Sequence, residues 1–125
     1  MRKFRTLPSL IMSLMCLSLM ISCSDEVGTA GDLVGGACDV HGDCLERCVR
    51  GDAFPDGMCT LNCRDQHDCP LDSVCVENSG GICILLCLDH GDCRHGYECD
   101  NVLSKDPSYD EAKPKVCIHS NRNRE

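Results

Sequence analysis

The chain has 125 residues, of which 14 are cysteine, four are aromatic and none is tryptophan. A cysteine fraction above roughly 8 to 10 per cent in a short chain is typical of disulfide scaffolds in oxidising compartments, so a reducing cytosol is excluded. With 20 acidic and 12 basic residues the formal net charge is -8, and we expect neither nucleic acid nor an anionic lipid headgroup to be a partner. Because aromatic side chains are so few, covalent crosslinks must substitute for a large hydrophobic core.

The N-terminus has the layout of a secretory signal peptide. The basic residues Arg2, Lys3 and Arg5 precede an uncharged, largely apolar stretch over residues 7–21. A helix of ~15 residues is about 22 Å long, which is short of the roughly 30 Å hydrocarbon core, so a permanent transmembrane helix is the weaker interpretation. We therefore predict that residues 1–22 are a signal peptide.

The end of the apolar stretch resembles the lipobox of bacterial lipoproteins. In Leu19-Met20-Ile21-Ser22-Cys23 a small residue precedes a cysteine, although methionine stands at position 20 where the family usually has leucine. The resemblance implies that Cys23 is acylated and becomes the mature N-terminus, anchored in the membrane by two or more acyl chains. Ser24 follows instead of the aspartate that signals inner-membrane retention, which implies the outer membrane. Ordinary secretion with cleavage after Ala30 is the alternative.

A glycine-rich segment separates Cys23 from the remaining cysteines. Residues 24–37 contain four glycines and few large side chains. This composition predicts a flexible tether with a span of roughly 20 Å. We expect residues 23–37 to form a lipidated N-terminus and tether that holds the cysteine-rich part just clear of the membrane.

Three tandem four-cysteine modules follow, over residues 38–62, 63–86 and 87–117. Each opens with Cys-x5-Cys, and the second cysteine always follows an aspartate, which is Asp43, Asp68 or Asp92. A histidine lies close before that cysteine each time, at His41, His67 and His90. Repetition at this period indicates an internal triplication. Residues 118–125 are predicted to be a disordered polar tail.

Local signals within the modules predict a small, disulfide-rich fold made mostly of loops with short β-hairpins. Asp56-Gly57 and Gly80-Gly81 each stand shortly before the closing cysteine of a module, as in hairpin turns. The third module has a longer stretch between its last two cysteines, and its residues 100–116 are predicted to form a protruding loop. Because each module has few aliphatic side chains, we expect little packing across module boundaries.

Each module resembles the small four-cysteine units of secreted proteins, including the front half of EGF-like domains and the Dickkopf-type cysteine-rich segments. In those units the first cysteine pairs with the third and the second with the fourth. Sequence alone leaves three pairings open in each module. The resemblance implies the pairs Cys38 with Cys48, Cys44 with Cys59, Cys63 with Cys75, Cys69 with Cys83, Cys87 with Cys99, and Cys93 with Cys117.

The cysteine spacing argues against metal or cofactor chemistry, because no Cys-x2-Cys pair occurs and the nearest pairs have three residues between them. Paired aspartates in the opening loops could bind calcium weakly, although a hard cation requires six to eight oxygen ligands. The alternative is that these aspartates accept backbone N–H bonds and fix a turn, with the histidines as exposed turn residues. The paired aspartates are Asp39 and Asp43, Asp65 and Asp68, and Asp89 and Asp92.

Together these patterns favour a membrane-anchored envelope lipoprotein that serves as a non-enzymatic interaction or structural module. We expect it to present residues 49–58, 76–82 and 100–116 to an envelope or extracellular protein. No hydrolase or phosphate-binding signature is present in the sequence. The alternatives are a small protease inhibitor that inserts Arg50 or Lys105 into a protease cleft, a weak calcium-binding module, and a redox or metal-handling protein with free thiols.

Overall fold

The structure is a computed structural model and describes residues 26–109 and 113–119. The predicted fold class is confirmed: each of three four-cysteine modules contains one two-stranded antiparallel hairpin, and the rest is loops and short 3-10 turns. Cys23, the predicted signal peptide and residues 120–125 lie outside the described residues. Within the described part, no helix has the length and apolar character needed to cross a bilayer.

The three hairpins share one register with respect to their cysteines. Strand β1 (Arg47–Val49) pairs with β2 (Met58–Thr60), β3 (Ser73–Val76) with β4 (Ile82–Leu85), and β5 (Glu98–Asn101) with β6 (Lys115–Ile118). In every hairpin the third cysteine of the module lies directly opposite the fourth. Directly opposed residues project from the same face of a sheet, so the two sulfurs leave each hairpin side by side.

Each hairpin is crosslinked to the segment that opens its module. Between the first and second cysteine lies a 3-10 turn, at His41–Asp43, Gln66–Asp68 and His90–Asp92. The first cysteine bonds to the third and the second to the fourth, with Cα–Cα distances between 5.4 and 6.0 Å. This is the pairing that the resemblance to secreted four-cysteine units implies. Two parallel crosslinks therefore fasten every opening turn to the face of its hairpin.

The described part of the predicted tether, residues 26–37, packs against β2. Cys59 of β2 exchanges hydrogen bonds with this segment, accepting from Gly35 N over 2.9 Å and donating to Gly36 O over 2.8 Å. Val34 is completely buried. The glycines permit close approach, because a Cβ on Gly36 would lie 2.5 Å from the Gly31 carbonyl oxygen. Their abundance marks tight backbone packing here, although the same composition is typical of flexible linkers.

Short segments join the modules, at residues 60–62 and 84–86, and these joints form hydrogen bonds or β-bridges with neighbouring strands. The buried Thr60 hydroxyl of module one donates to the Cys83 carbonyl of module two over 2.6 Å. Cys83 N donates to Leu61 O over 3.1 Å. At the next joint, Leu86 of module two forms an antiparallel β-bridge with Val116 of module three. The joints therefore couple adjacent modules directly.

The larger of the two hydrophobic clusters in the described residues includes side chains from all three modules, so the prediction of little packing across module boundaries is wrong. Both strands of the second hairpin are buried along their whole length. Neighbouring modules and the N-terminal segment supply side chains around this hairpin, and pooling them gives the chain a core that no single module could form. The large aliphatic and aromatic members of the cluster are Val34, Val49, Phe54, Met58, Val74, Val76, Ile82, Ile84, Leu85, Tyr97 and Val116.

Residues 104–108 of the long loop of module three fold back onto module two, which corrects the prediction that this part of the loop protrudes. Lys105 N donates to Cys75 O over 2.9 Å. Asp106 is buried, and its Oδ2 accepts from Gln66 N over 3.1 Å while its Oδ1 accepts from Ser108 N over 2.8 Å. The Ser108 hydroxyl also donates to Asp106 Oδ1, over 2.6 Å. A carboxylate with these three donors is a stable anchor, and no local sequence pattern predicted it.

Side chains of module three also form hydrogen bonds with the backbone of module one. The Tyr97 hydroxyl donates to the Pro55 carbonyl over 3.0 Å, and the Arg94 guanidinium lies 4.5 Å from the centre of the Tyr97 ring. Arg94 also donates to the Gly57 carbonyl. Burial raises the pKa of the Tyr97 phenol above its ordinary value. The C-terminal strand continues to Ile118, and His119 Nδ1 lies 2.8 Å from Gly96 O, so these two residues do not belong to a disordered tail.

Candidate functional site

The repeated Asp-Cys turn is the most regular polar site in the molecule. The carboxylate before the second cysteine bends back and accepts backbone N–H groups from the start of its own module. Asp43 accepts from Asp39 over 2.8 Å and from Val40 over 3.1 Å. Asp92 accepts from Leu88 over 2.8 Å and from Asp89 over 3.1 Å.

Module two contains the same turn, and there an arginine side chain also lies beside the carboxylate. Asp68 accepts from Arg64 N over 2.8 Å, and the Arg64 Nε lies 3.8 Å from the same carboxylate oxygen. In all three modules these hydrogen bonds stabilise the ionised carboxylate and lower its pKa below the ordinary aspartate value. The interpretation that these aspartates fix a turn through backbone N–H bonds is confirmed.

The other aspartate of each pair is used differently from module to module. Asp65 Oδ1 accepts from His67 N over 2.9 Å, and Asp89 Oδ1 accepts from Gly91 N over 2.8 Å, so both cap the 3-10 turn that follows. Asp39 lies near the guanidinium of Arg50, with 4.0 Å between Oδ1 and NH2. The paired carboxylates in each loop thus face backbone or side-chain donors, which gives them a structural role in shaping the turn.

In every module a side chain also accepts a hydrogen bond from the backbone N–H of the third cysteine. This side chain is a histidine in two modules and a glutamine in the other. His41 Nδ1 accepts from Cys48 N over 3.1 Å, and His90 Nδ1 accepts from Cys99 N over 3.0 Å. In module two the equivalent acceptor is Gln66 Oε1, which accepts a hydrogen bond from Cys75 N over 3.1 Å. His67 is one residue further on and does not occupy this position. The spacing from the first cysteine identifies the equivalent residue, whereas residue identity does not.

Four groups of side chains in the described residues have the proximity expected of metal ligands, three made of cysteines and one of other residues. In each module three cysteine sulfurs lie within 4.8 Å of one another, because two disulfides run side by side, and disulfide sulfurs are not thiolate ligands. One oxygen or nitrogen atom from each of Asp65, His67 and Asp106 forms the fourth group. Asp106 already accepts hydrogen bonds from Gln66 and Ser108, so its oxygens are committed to the loop anchor.

The two side chains predicted to enter a protease are both held by the fold. The Arg50 guanidinium donates to the Asp39 carbonyl over 2.7 Å. The Lys105 ammonium donates to the Gly80 carbonyl over 2.9 Å and to the Cys63 carbonyl over 3.4 Å. A residue that enters a protease cleft must extend away from its own scaffold, and Lys105 points back into it.

Comparison of the chain with protein-family models, with curated proteins and with solved structures gave no match.

Proposed function

We propose that the chain is a lipid-anchored protein of the bacterial cell envelope that acts as a disulfide-stapled interaction or structural module. The observation that carries the proposal is the segment Leu19-Met20-Ile21-Ser22-Cys23 at the end of a charged and then apolar leader. The six disulfides suit a protein that matures in an oxidising compartment such as the periplasm.

The position of the proposed anchor determines how the folded body would meet the membrane. Packing begins close to Cys23, since Glu26 O accepts from Leu33 N over 2.9 Å and from Val34 N over 3.0 Å. Three residues of extended chain span only about 10 Å. An acylated Cys23 would therefore hold the crosslinked body against the bilayer surface, where a free tether would let it stand clear.

The surface offers apolar side chains for a protein partner. Leu71 is 90% exposed and Leu88 is 84% exposed. Their segments are adjacent, because Leu86 N donates to Asp72 O over 2.9 Å. Large apolar side chains exposed together on a rigid body favour protein contacts. We include this pair of leucines in the proposed interaction surface.

Intact mass and fatty-acid labelling test the anchor. The full chain is expressed in a bacterium fed an alkyne fatty acid, alongside the Cys23→Ser and Cys16→Ser variants. We expect the unsubstituted protein and Cys16→Ser to begin at an acylated Cys23, and Cys23→Ser to carry no label. An unlabelled protein that begins at Gly31 would show ordinary secretion and remove the anchor from the proposal.

Crosslinking in intact cells tests the interaction surface. We expect one crosslinked partner to be lost when Leu71 and Leu88 are both replaced by aspartate. The matched control is Leu45→Asp, since Leu45 is also an exposed leucine, at 55% exposure, and lies outside the segments expected to meet a partner. Equal recovery from both variants would show that the paired leucines do not form the contact.

A further inference from the structure

A depression of about 680 Å³ lies where parts of all three modules meet. Arg47 of β1 and the joint at Asn62 form one side, Arg64 lies beyond Cys63, and the turn at Asn78–Gly80 forms another side. Lys105 reaches the depression from the folded-back loop of module three. The site therefore exists only in the assembled fold.

Two of its cations are held in place by neutral groups. The Arg47 guanidinium donates to the Asn62 Oδ1, and the Lys105 ammonium donates to the carbonyls of Gly80 and Cys63. Among residues 26–109 and 113–119, neither cation forms an ion pair with a carboxylate. Neutral acceptors orient a cation without cancelling its charge, so the charges of Arg47 and Lys105 remain available to a ligand.

The third cation is highly exposed and lies beside one carboxylate. The Arg64 side chain is 91% exposed, and its Nε lies 3.8 Å from Asp68 Oδ2. That carboxylate also accepts Arg64 N over 2.8 Å. Asp68 is the single acidic side chain in the lining, against three basic ones, in a chain with 20 acidic and 12 basic residues.

The turn beside these cations has an unusual backbone. Ser79, Gly80 and Gly81 have φ values of 51°, 88° and 108°, three consecutive residues in the left-handed half of backbone space. This path brings the Gly80 carbonyl to Lys105, while Ser79 lines the depression. A serine in this conformation is disfavoured, and such positions concentrate at ligand sites.

We propose that this depression, the Arg47–Arg64–Lys105 site, binds a doubly charged oxyanion on a small hydrophilic ligand, with a phosphate monoester as the type. Guanidinium has five N–H donors and ammonium three, so donors remain after the internal bonds are made. The volume lies within the range of small-molecule sites. Charge-assisted hydrogen bonds from three cations give selectivity for two negative charges over one. This inference does not depend on lipid anchoring at Cys23.

The site is tested by NMR titration of the oxidised, ¹⁵N-labelled protein as purified from cells. The probes are inorganic phosphate, glucose 6-phosphate and glycerol 3-phosphate, each at constant ionic strength, with sodium chloride as the blank. We expect saturable shifts of the Arg64, Gly80 and Gly81 amides with a dissociation constant near or below ~1 mM. Tighter binding of glucose 6-phosphate indicates a sugar phosphate, and tighter binding of glycerol 3-phosphate indicates a lipid headgroup.

Substitutions separate this site from general surface charge. Arg64→Gln removes a nearly fully exposed side chain and leaves the fold intact, and we expect it to weaken phosphate binding at least about tenfold. We expect the same of Lys105→Gln. The matched control is Lys115→Gln, which removes one exposed positive charge outside the lining. Absence of saturable shifts with all three probes, or equal weakening by Lys115→Gln, would overturn the proposal.

Discussion

The imidazole Nδ1 of His90 accepts a hydrogen bond from the backbone N–H of Cys99 over 3.0 Å. His41 and Cys48 make the same contact in module one, and the Gln66 amide oxygen takes the place of the imidazole in module two. A side-chain acceptor three residues after the first cysteine therefore holds the third cysteine in every module. Its required property is an unprotonated acceptor atom, which glutamine supplies as well as histidine.

Substituting His90 separates the acceptor from the imidazole ring. We expect His90→Gln to keep the stability of the native protein, because module two already uses glutamine at this position. His90→Leu should lower the free energy of unfolding by about 1 kcal/mol, since the Cys99 N–H loses its partner. Thermal unfolding with the disulfides intact measures both variants. Equal destabilisation by glutamine and leucine would show that the ring itself is needed.

Acid should weaken the opening turns. Backbone N–H bonds lower the pKa of Asp43, Asp68 and Asp92 in the folded state. The stability that these carboxylates contribute is therefore fully present above the aspartate pKa of the unfolded chain, about 3.9. It is lost as the pH falls through their lower pKa values in the folded protein. We expect the melting temperature to fall between about pH 4 and pH 2.

A triple variant isolates this contribution. With Asp43, Asp68 and Asp92 all replaced by asparagine, the fall in melting temperature over the acidic range should be smaller. Asp106, whose pKa is also lowered by hydrogen bonds from Ser108 and Gln66, leaves a residual dependence. Asp52→Asn is the control, because Asp52 is exposed and forms no hydrogen bond within the described residues. An unchanged acid profile in the triple variant would contradict this account.

Cysteine spacing and turn residues were sufficient to predict three stapled modules with short hairpins, and the turn residues located the hairpins of modules one and two. The closing cysteine follows a glycine turn in modules one and two, and a chain with so few aromatic residues has few other ways to fold. The role of the aspartate before each second cysteine was predictable for the same reason, because its interactions are local: Asp92 reaches only Leu88 and Asp89.

The interactions that organise the modules into one body could not be read from local patterns. Asp106 meets Gln66, 40 residues away, and Tyr97 meets Pro55, 42 residues away. Neither contact has a periodic or motif-like signature. Glycine content was ambiguous at Gly35 and Gly36 in particular, since flexibility and close backbone approach require the same residue. Only the tertiary position of β2 decides between them.

The N-terminal segment should contribute measurably to stability. Val34 is completely buried in the shared cluster, so Val34→Ala should lower the free energy of unfolding by about 2 kcal/mol. Thr29→Ala, at an exposed position of the same segment, should change it little. Denaturant unfolding of the oxidised protein gives both values. Unchanged stability in Val34→Ala would restore the interpretation of this segment as a tether.

Replacing Cys69 and Cys83 together by serine should weaken the whole molecule, not only module two. The crosslink fastens the opening turn of module two to β4, in the hairpin at the centre of the shared cluster, and its loss costs about 2 to 4 kcal/mol. The Thr60 hydroxyl bonds to the Cys83 carbonyl, so the change reaches module one through β4. Module three depends on the same hairpin, because Val76 pairs with Ser104 and Leu86 with Val116.

Hydrogen exchange measured residue by residue shows how far the effect spreads. We expect amide protection to fall by a similar factor at Cys59, Ile84 and Cys117, one strand residue from each hairpin, because small proteins with one core unfold cooperatively. The comparison variant replaces Cys38 and Cys48, whose disulfide lies in the small separate cluster with Cys59. Its loss should reduce protection mainly in module one. Loss of protection confined to residues 63–86 in the Cys69 and Cys83 variant would instead mean that each module holds its structure alone, which would contradict the cluster shared by all three modules.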